Sequence, residues 1–305
     1  MLTFAEKERV CERRVEESGP FWHLYTNGRI MEDFLCTEDD FKTAMTALAV
    51  TAILLKKIRL ITFELMSNHI HIILNGDKKD SLELFEKFKV RIRKILRSQG
   101  RIIDWDPFKA DILPIESLTV LRNEIVYVNR NAYVASSQYT PFSYMWGAGW
   151  AYFSPITNLL PTLSIKDIGF NKGRELTHFR DIKTLEGLMF VNDIAFIPSF
   201  CRTDIGESMF RDARSYFNSL TRNTEAFSQI AQRLKDTVFV TDDEIYAAAR
   251  TFAEKEFNNT QLSILNPEQK ILLSRELHFK YNASNQQIRR VLKLDIGILN
   301  ELFPS

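Results

Sequence analysis

The chain has 305 residues, 45% of them hydrophobic and 26% charged, and its net charge is +1. This is the composition of an ordinary soluble globular protein, long enough for one large core or two modest ones. The near-neutral balance excludes a whole-protein field for nucleic acid, so local patches must do any attracting. The three cysteines, Cys11, Cys36 and Cys201, are odd in number and lack paired spacing, which argues against a disulfide framework and for a reducing compartment. Glu6, Lys7, Glu8 and Arg9 leave no room for a signal-type opening. The longest apolar stretch, Met45 to Leu55, is too short to span a bilayer. A cytoplasmic protein without a membrane partner is expected.

Phe21 to Thr26 reads as a short strand ending at the Asn27-Gly28 turn. Thr37 caps a helix with acids in its first turn, running to about Lys56. Ile58 to Met66 reads as a strand, Ser67-Asn68 interrupts it, and His69 to Leu74 reads as the next strand, closed by Asn75-Gly76-Asp77. Leu82, Phe85, Phe88, Ile92 and Ile95 give the apolar stripe of a helix over about Ser81 to Ser98. Ile102 to Ile115 is expected to hold a strand pair around Asp106-Pro107. Ser117 then caps a helix to about Ala132, with Leu118, Leu121, Ile125 and Val128 on its core face. This order suits a ferredoxin-like α+β sandwich, with helices on one face of an antiparallel sheet.

From Tyr133 to Leu163 the pattern loosens into an aromatic connection. Beyond it the chain reads as predominantly helical, most clearly at Phe210 to Leu220, Thr224 to Leu234, Thr241 to Phe257 and Pro267 to Tyr281. Two domains are therefore expected, one over 1–150 and an α-helical one over 151–305. Asp242, Asp243 and Glu244 read as a helix N-terminus rather than a metal cluster.

Two of the five histidines stand together in Met66-Ser67-Asn68-His69-Ile70-His71. Strand side chains alternate faces, so His69 and His71 point the same way with Cβ atoms about 7 Å apart, a spacing at which two imidazoles can converge on one cation. The opposing reading is a solvated sheet face with no ligand. Met66-Ser67-Asn68-His69-Ile70-His71-Ile72-Ile73-Leu74 resembles the histidine segment of the single-tyrosine HUH transposases, in the branch of the REP-associated tyrosine transposases and their insertion-sequence relatives. Serine stands where proline is common in that family. His23-Leu24-Tyr25-Thr26-Asn27-Gly28 resembles the family's first strand, and the likeness covers about residues 20–150.

The resemblance implies a tyrosine on a helix brought to the metal, and Tyr127-Val128-Asn129-Arg130-Asn131 is similar to the family's nucleophile segment. Tyr127 would be the catalytic nucleophile. Asn131, one helical turn on and on the same face, would be the amide ligand beside His69 and His71, with Glu124 as a further ligand or a polariser of bound water. Ala132-Tyr133-Val134 departs from the Pro-Val continuation usual there, and Tyr133 is the alternative nucleophile. A phenol, with a pKa near 10, attacks phosphate only when deprotonated and when the phosphodiester charge is neutralised. A divalent cation, Mg²⁺ or Mn²⁺, would do the neutralising. The implied activity is cleavage and rejoining of single-stranded, hairpin-forming DNA through a 5′-phosphotyrosine. The alternatives are an inactive or domesticated hairpin-binding descendant and a metal-dependent hydrolase using water. A homodimer is compatible with the resemblance, because related sites are built within one chain or across two.

For DNA contact the helix at 81–98 offers Lys87, Lys89, Arg91, Arg93, Lys94 and Arg97. With Lys78, Lys79 and Arg101 set against Asp80, Glu83 and Glu86, the local excess is six positive charges. Residues 267–303 have the spacing of a helix-turn-helix; its recognition helix carries Asp295, Asn300 and Glu301 but no Arg or Lys, and Arg289 and Arg290 stand on the helix before it. A three-helix packing module is the alternative there. A DNA partner would make the protein nucleoid-associated.

Overall fold

The computed structural model describes residues 3–28, 31–135, 143–222, 242–281 and 283–303, together with Ile230 and Leu234. The protein is α+β and divides into two compact units, Met1–Leu220 and Thr221–Ser305. No described helix is long and apolar enough to cross a membrane.

The first unit opens with α1 (Phe4–Ser18), started by a Thr3 capping box. The central sheet is built from β1 (Phe21–Thr26), β2 (Arg59–Leu65), β3 (Ile70–Asn75) and β4 (Ala110–Ile115), in the order β2-β3-β1-β4 with every neighbour antiparallel. The helix α2 (Glu38–Leu54) joins β1 to β2, and α3 (Lys78–Ser98) joins β3 to β4. Thr37 closes a capping box with Asp40, which explains the sharp start of α2. Both crossovers are split βαβ units, and the right-handed rule places their helices on one face of the sheet. There α2 and α3 pack side by side over the apolar residues Leu24, Phe63, Ile72 and Leu74, all fully buried.

The opposite face is covered as well. The helix α4 (Leu118–Ala135) packs against β2 and β3, and its side chains meet the alternate residues of those strands. Helices therefore lie on both faces, not on one as expected from the element order. The reason lies in the strands: their second face carries His23, Thr62, Glu64 and His71, all buried, and these need partners that solvent does not supply.

Residues 102–109 hold no strand pair. Trp105 and Phe108 pack on Phe34, with ring centroids 5.2 Å and 5.0 Å away, and the segment bends at Asp106-Pro107 before β4 begins. Nor does the first unit end at 150. The stretch expected to be helical contains a small antiparallel sheet of β5 (Leu163–Ser164), β6 (Met189–Val191) and β7 (Ile194–Ala195), with helices α5 (Phe170–Thr177), α6 (Thr203–Ser208) and α7 (Ala213–Arg222). It is tied to the central sheet by backbone and side-chain bonds. Tyr152 Oη donates to the Ile61 carbonyl at 2.9 Å, and the Arg202 N–H donates to the Leu60 carbonyl at 2.7 Å.

In the second unit the described helices are α8 (Asp242–Phe257), α9 (Pro267–Tyr281), α10 (Asn285–Leu292) and α11 (Ile296–Leu302). Ser284 forms the capping box of α10, Lys293 takes the left-handed conformation at its end, and Asp295 caps α11. The helix expected over Thr224 to Leu234 lies outside the described residues apart from Ile230 and Leu234.

Candidate functional site

His71 is the second residue of β3, directly opposite Tyr25 on β1 and Glu64 on β2, so the three side chains share one face. His23 lies two residues before Tyr25 on the same face, and this brings its ring beside that of His71. His23 Nε2 is 3.1 Å from His71 Nδ1, and His23 Nδ1 is 2.7 Å from a carboxylate oxygen of Glu124 on α4. Glu124, His23 and His71 thus form one hydrogen-bonded row running from the helix into the sheet.

Tyr127 stands one turn after Glu124. Its ring meets His71 edge to face with centroids 5.7 Å apart and reaches His23 at 6.3 Å. Tyr25 stacks on the other side of His71 at 6.3 Å. The group is enclosed: His23 and His71 are 0% exposed, Glu124 1% and Tyr127 5%. α4 is held over it by Asn129, which accepts from Thr62 Oγ1 on β2 and donates from Nδ2 to Tyr216 Oη at 2.9 Å.

His69 lies just before β3 and is only half-buried. Its ring centroid is 5.3 Å from that of His71, at a right angle, and its Nδ1 is 2.7 Å from Asn68 Oδ1. Asn68 in turn donates to the carbonyls of Gly28 and Met31. The turn passes so close to the histidine that a Cβ on Gly28 would stand 2.6 Å from His69 Nδ1, so glycine is required there by contact.

The hydrogen-bond row has chemical consequences. With Glu124 as carboxylate and His23 neutral, His23 Nδ1–H donates to Glu124, His71 Nδ1–H donates to His23, and the lone pair of His71 falls on Nε2. An imidazole held this way through its Nδ1 is the arrangement found behind metal-ligating histidines. His69 is likewise engaged through Nδ1. His69 and His71 are the two imidazoles that would hold a cation here. Among the described residues no group of three or more His, Cys, Asp or Glu converges as a metal cluster.

Of the residues picked from the sequence, His69, His71, Tyr127 and Glu124 come together, with Glu124 placed on His23. Asn131 is buried on α4 with no hydrogen-bond partner for its Nδ2, and its amide is outside the hydrogen-bonded row. The cations of α3 lie on the other face of the sheet. There Lys87 pairs with Glu83, Lys89 Nζ donates to the Phe108 carbonyl, Arg91 lies over the Phe179 ring, and Arg93, Lys94 and Arg97 are exposed. Arg289 and Arg290 are exposed on α10 in the second unit.

Sequence reasoning left His23, Tyr25 and Glu64 out of the site. The alternation of His23 and Tyr25 along one strand was the available signal. What it lacked was the knowledge that β1, not β2 alone, flanks β3. No family model, characterised protein or solved structure matches the chain.

Proposed function

We propose that the first unit is a ferredoxin-like HUH nuclease that cuts and rejoins single-stranded, hairpin-forming DNA, with Tyr127 as nucleophile. The observation that carries the reading is Tyr127 packed edge to face on His71, from a helix laid across a sheet of order β2-β3-β1-β4. The resemblance of the His69–His71 and Tyr127–Asn131 segments requires that juxtaposition, and neither segment alone would produce it.

In this reading Tyr127 Oη gives up its proton and attacks the scissile phosphorus. A 5′-phosphotyrosine forms and the bond to the 3′-oxygen breaks, leaving a 3′-hydroxyl. Attack by another 3′-hydroxyl reverses the step, returns the proton to Tyr127 and rejoins the strand without an external energy source. A divalent cation, when bound by His69 and His71, would supply charge neutralisation at the phosphate. With His23 neutral, His23 and Glu124 would hold His71 in the tautomer that can take part. Cleavage requires α4 to part from the sheet at Tyr127, because the ring is enclosed when the helix is seated.

That enclosure also favours a second reading, a descendant that binds hairpin DNA and has kept the histidine row as a structural element. Incubation with hairpin oligonucleotides in Mg²⁺ or Mn²⁺, followed by a denaturing gel, decides between them. A covalent adduct absent from Tyr127→Phe is the expected result. Tight binding without an adduct in either metal would establish the second reading, and cleavage that survives Tyr127→Phe would remove the tyrosine mechanism altogether.

A further inference from the structure

Arg91 on α3 is a half-buried cation. Its guanidinium lies over the Phe179 ring, 5.0 Å from the centroid, and its Nε is buried with no hydrogen-bond partner. No ion pair to an acid is formed by it among the described residues. Burial pushes this guanidinium below its ordinary pKa. A partly buried charge left in this condition is unfavourable unless something anionic completes it.

The place where Arg91 stands is a groove of about 710 Å³ between α2, α3 and His178. Its apolar wall is Leu54, Val90 and Ile95, and both Leu54 and Val90 are exposed to it. Lys94 and His178 add donors, while Glu86 and the mutually paired Lys87 and Glu83 stand on the lining as well. Glu83 is already occupied by Lys87, at 2.7 Å. At His178 the groove adjoins a second hollow lined by Arg174, Glu175 and Arg180. A line of cations beside apolar and aromatic surface suits a ligand with phosphates on one side and flat apolar groups on the other.

We propose that this groove is a phosphate-ester site, with Arg91 as its principal contact and the apolar wall receiving the attached base. Single-stranded nucleic acid is the source the proposed reaction would supply, and that choice alone rests on the proposed function. The site is on the opposite face of the sheet from Tyr127, so it anchors a strand and takes no part in the chemistry. Arg91 donates in plane to phosphate oxygens, a geometry that a lysine does not reproduce.

The test uses the full chain without metal, so that only noncovalent binding is read. Anisotropy of a labelled single-stranded oligonucleotide is measured for wild type and Arg91→Met, with inorganic phosphate and deoxyadenosine monophosphate as competitors. Methionine keeps the apolar stem over Phe179, and thermal melting followed by tryptophan fluorescence checks the fold. The expected result is about a tenfold or greater loss of binding in Arg91→Met, with a melting temperature unchanged or raised because an uncompensated charge has gone. Equal affinity for the mononucleotide and the oligonucleotide would keep the phosphate site and overturn nucleic acid as its source. Unchanged binding in Arg91→Met, or a lowered melting temperature with binding retained, would overturn the site. Arg91-dependent binding in a protein that never forms the tyrosine adduct would count against the nuclease reading alone.

Discussion

The Glu124–His23 pair is a direct test of whether the enclosed row is a coupled unit. Both partners are essentially fully buried, and the contact is 2.7 Å. Glu124→Leu leaves the Nδ1 of His23 without its acceptor, and His23→Phe leaves a carboxylate without its donor. Breaking a buried pair from one side costs about 3–5 kcal/mol, much of it the desolvation of the survivor. Substituting both at once removes both survivors and takes the His23 contact from Nδ1 of His71, for which a loss of about 1–3 kcal/mol is expected. The double variant should therefore be no less stable than either single one, with a coupling of about 3 kcal/mol or more. Urea denaturation followed by tryptophan fluorescence reads this cleanly, because all four tryptophans (Trp22, Trp105, Trp146 and Trp150) lie in the first unit. If the double variant loses the sum of the single losses to within about 0.5 kcal/mol, the pair is not a coupled unit.

Two further outcomes follow from contacts nearby. Gly28→Ala places a Cβ 2.6 Å from His69 Nδ1 and must displace that ring, so adduct formation and Mn²⁺ affinity should fall at least about tenfold. The half-buried position makes the accompanying stability change small, and a melting curve recorded with the adduct assay separates the two effects. Asp40 titrates against burial, which raises its carboxyl, and against the N–H groups of Cys36 and Thr37 and the Arg101 guanidinium, which together hold it below the ordinary carboxylate value. A depressed folded-state pKa gives stability that is complete above the unfolded value, near pH ~4, and is lost as the pH falls through the folded one. Asp40→Asn should thus be less stable than wild type at pH 7 by about 1–2 kcal/mol, with the gap closing under acid denaturation below pH ~4; a gap independent of pH would show that the carboxylate charge is not what stabilises the cap.

The elements that the sequence made legible are those whose periodicity is set locally. The central strand β3 alternates Ile70, Ile72 and Leu74 with His71 and Ile73, α2 begins at a threonine followed by acids, and the stripe of α3 matches its buried residues Phe85, Phe88, Ile92 and Ile95. Helix α1 offered no such stripe: charges surround it and Cys11 is its one buried residue. Strands β5 and β7 are two residues long, below any period. The contact between His23 and His71 was hidden for a different reason, since it depends on which strands become neighbours and in what register, and no local pattern carries that information.

Register also decides the chemistry of the site's wall through a single irregularity. Between Leu60 and Thr62 the pairing of β2 with β3 shifts by one residue at Ile61: Leu60 stands opposite Leu74, yet Thr62 stands opposite Ile73. In an unbroken ladder Thr62 would face Ile72 and Glu64 would face Ile70, which would set both polar side chains into the apolar layer beneath α2 and α3. The bulge turns them over to the histidine face, where Glu64 meets His71 and Thr62 donates to Asn129 to hold α4 in place. The same step frees the Ile61 carbonyl, which accepts from Tyr152 Oη at 2.9 Å and from Cys201 Sγ at 3.2 Å. One extra residue in β2 thereby fixes three things together: the polar lining beside His71, the seat of the helix carrying Tyr127, and the attachment of the chain beyond residue 150 to the sheet. The run Arg59 to Leu65 reads as an ordinary apolar strand, so the feature that makes the face polar leaves no mark in its pattern.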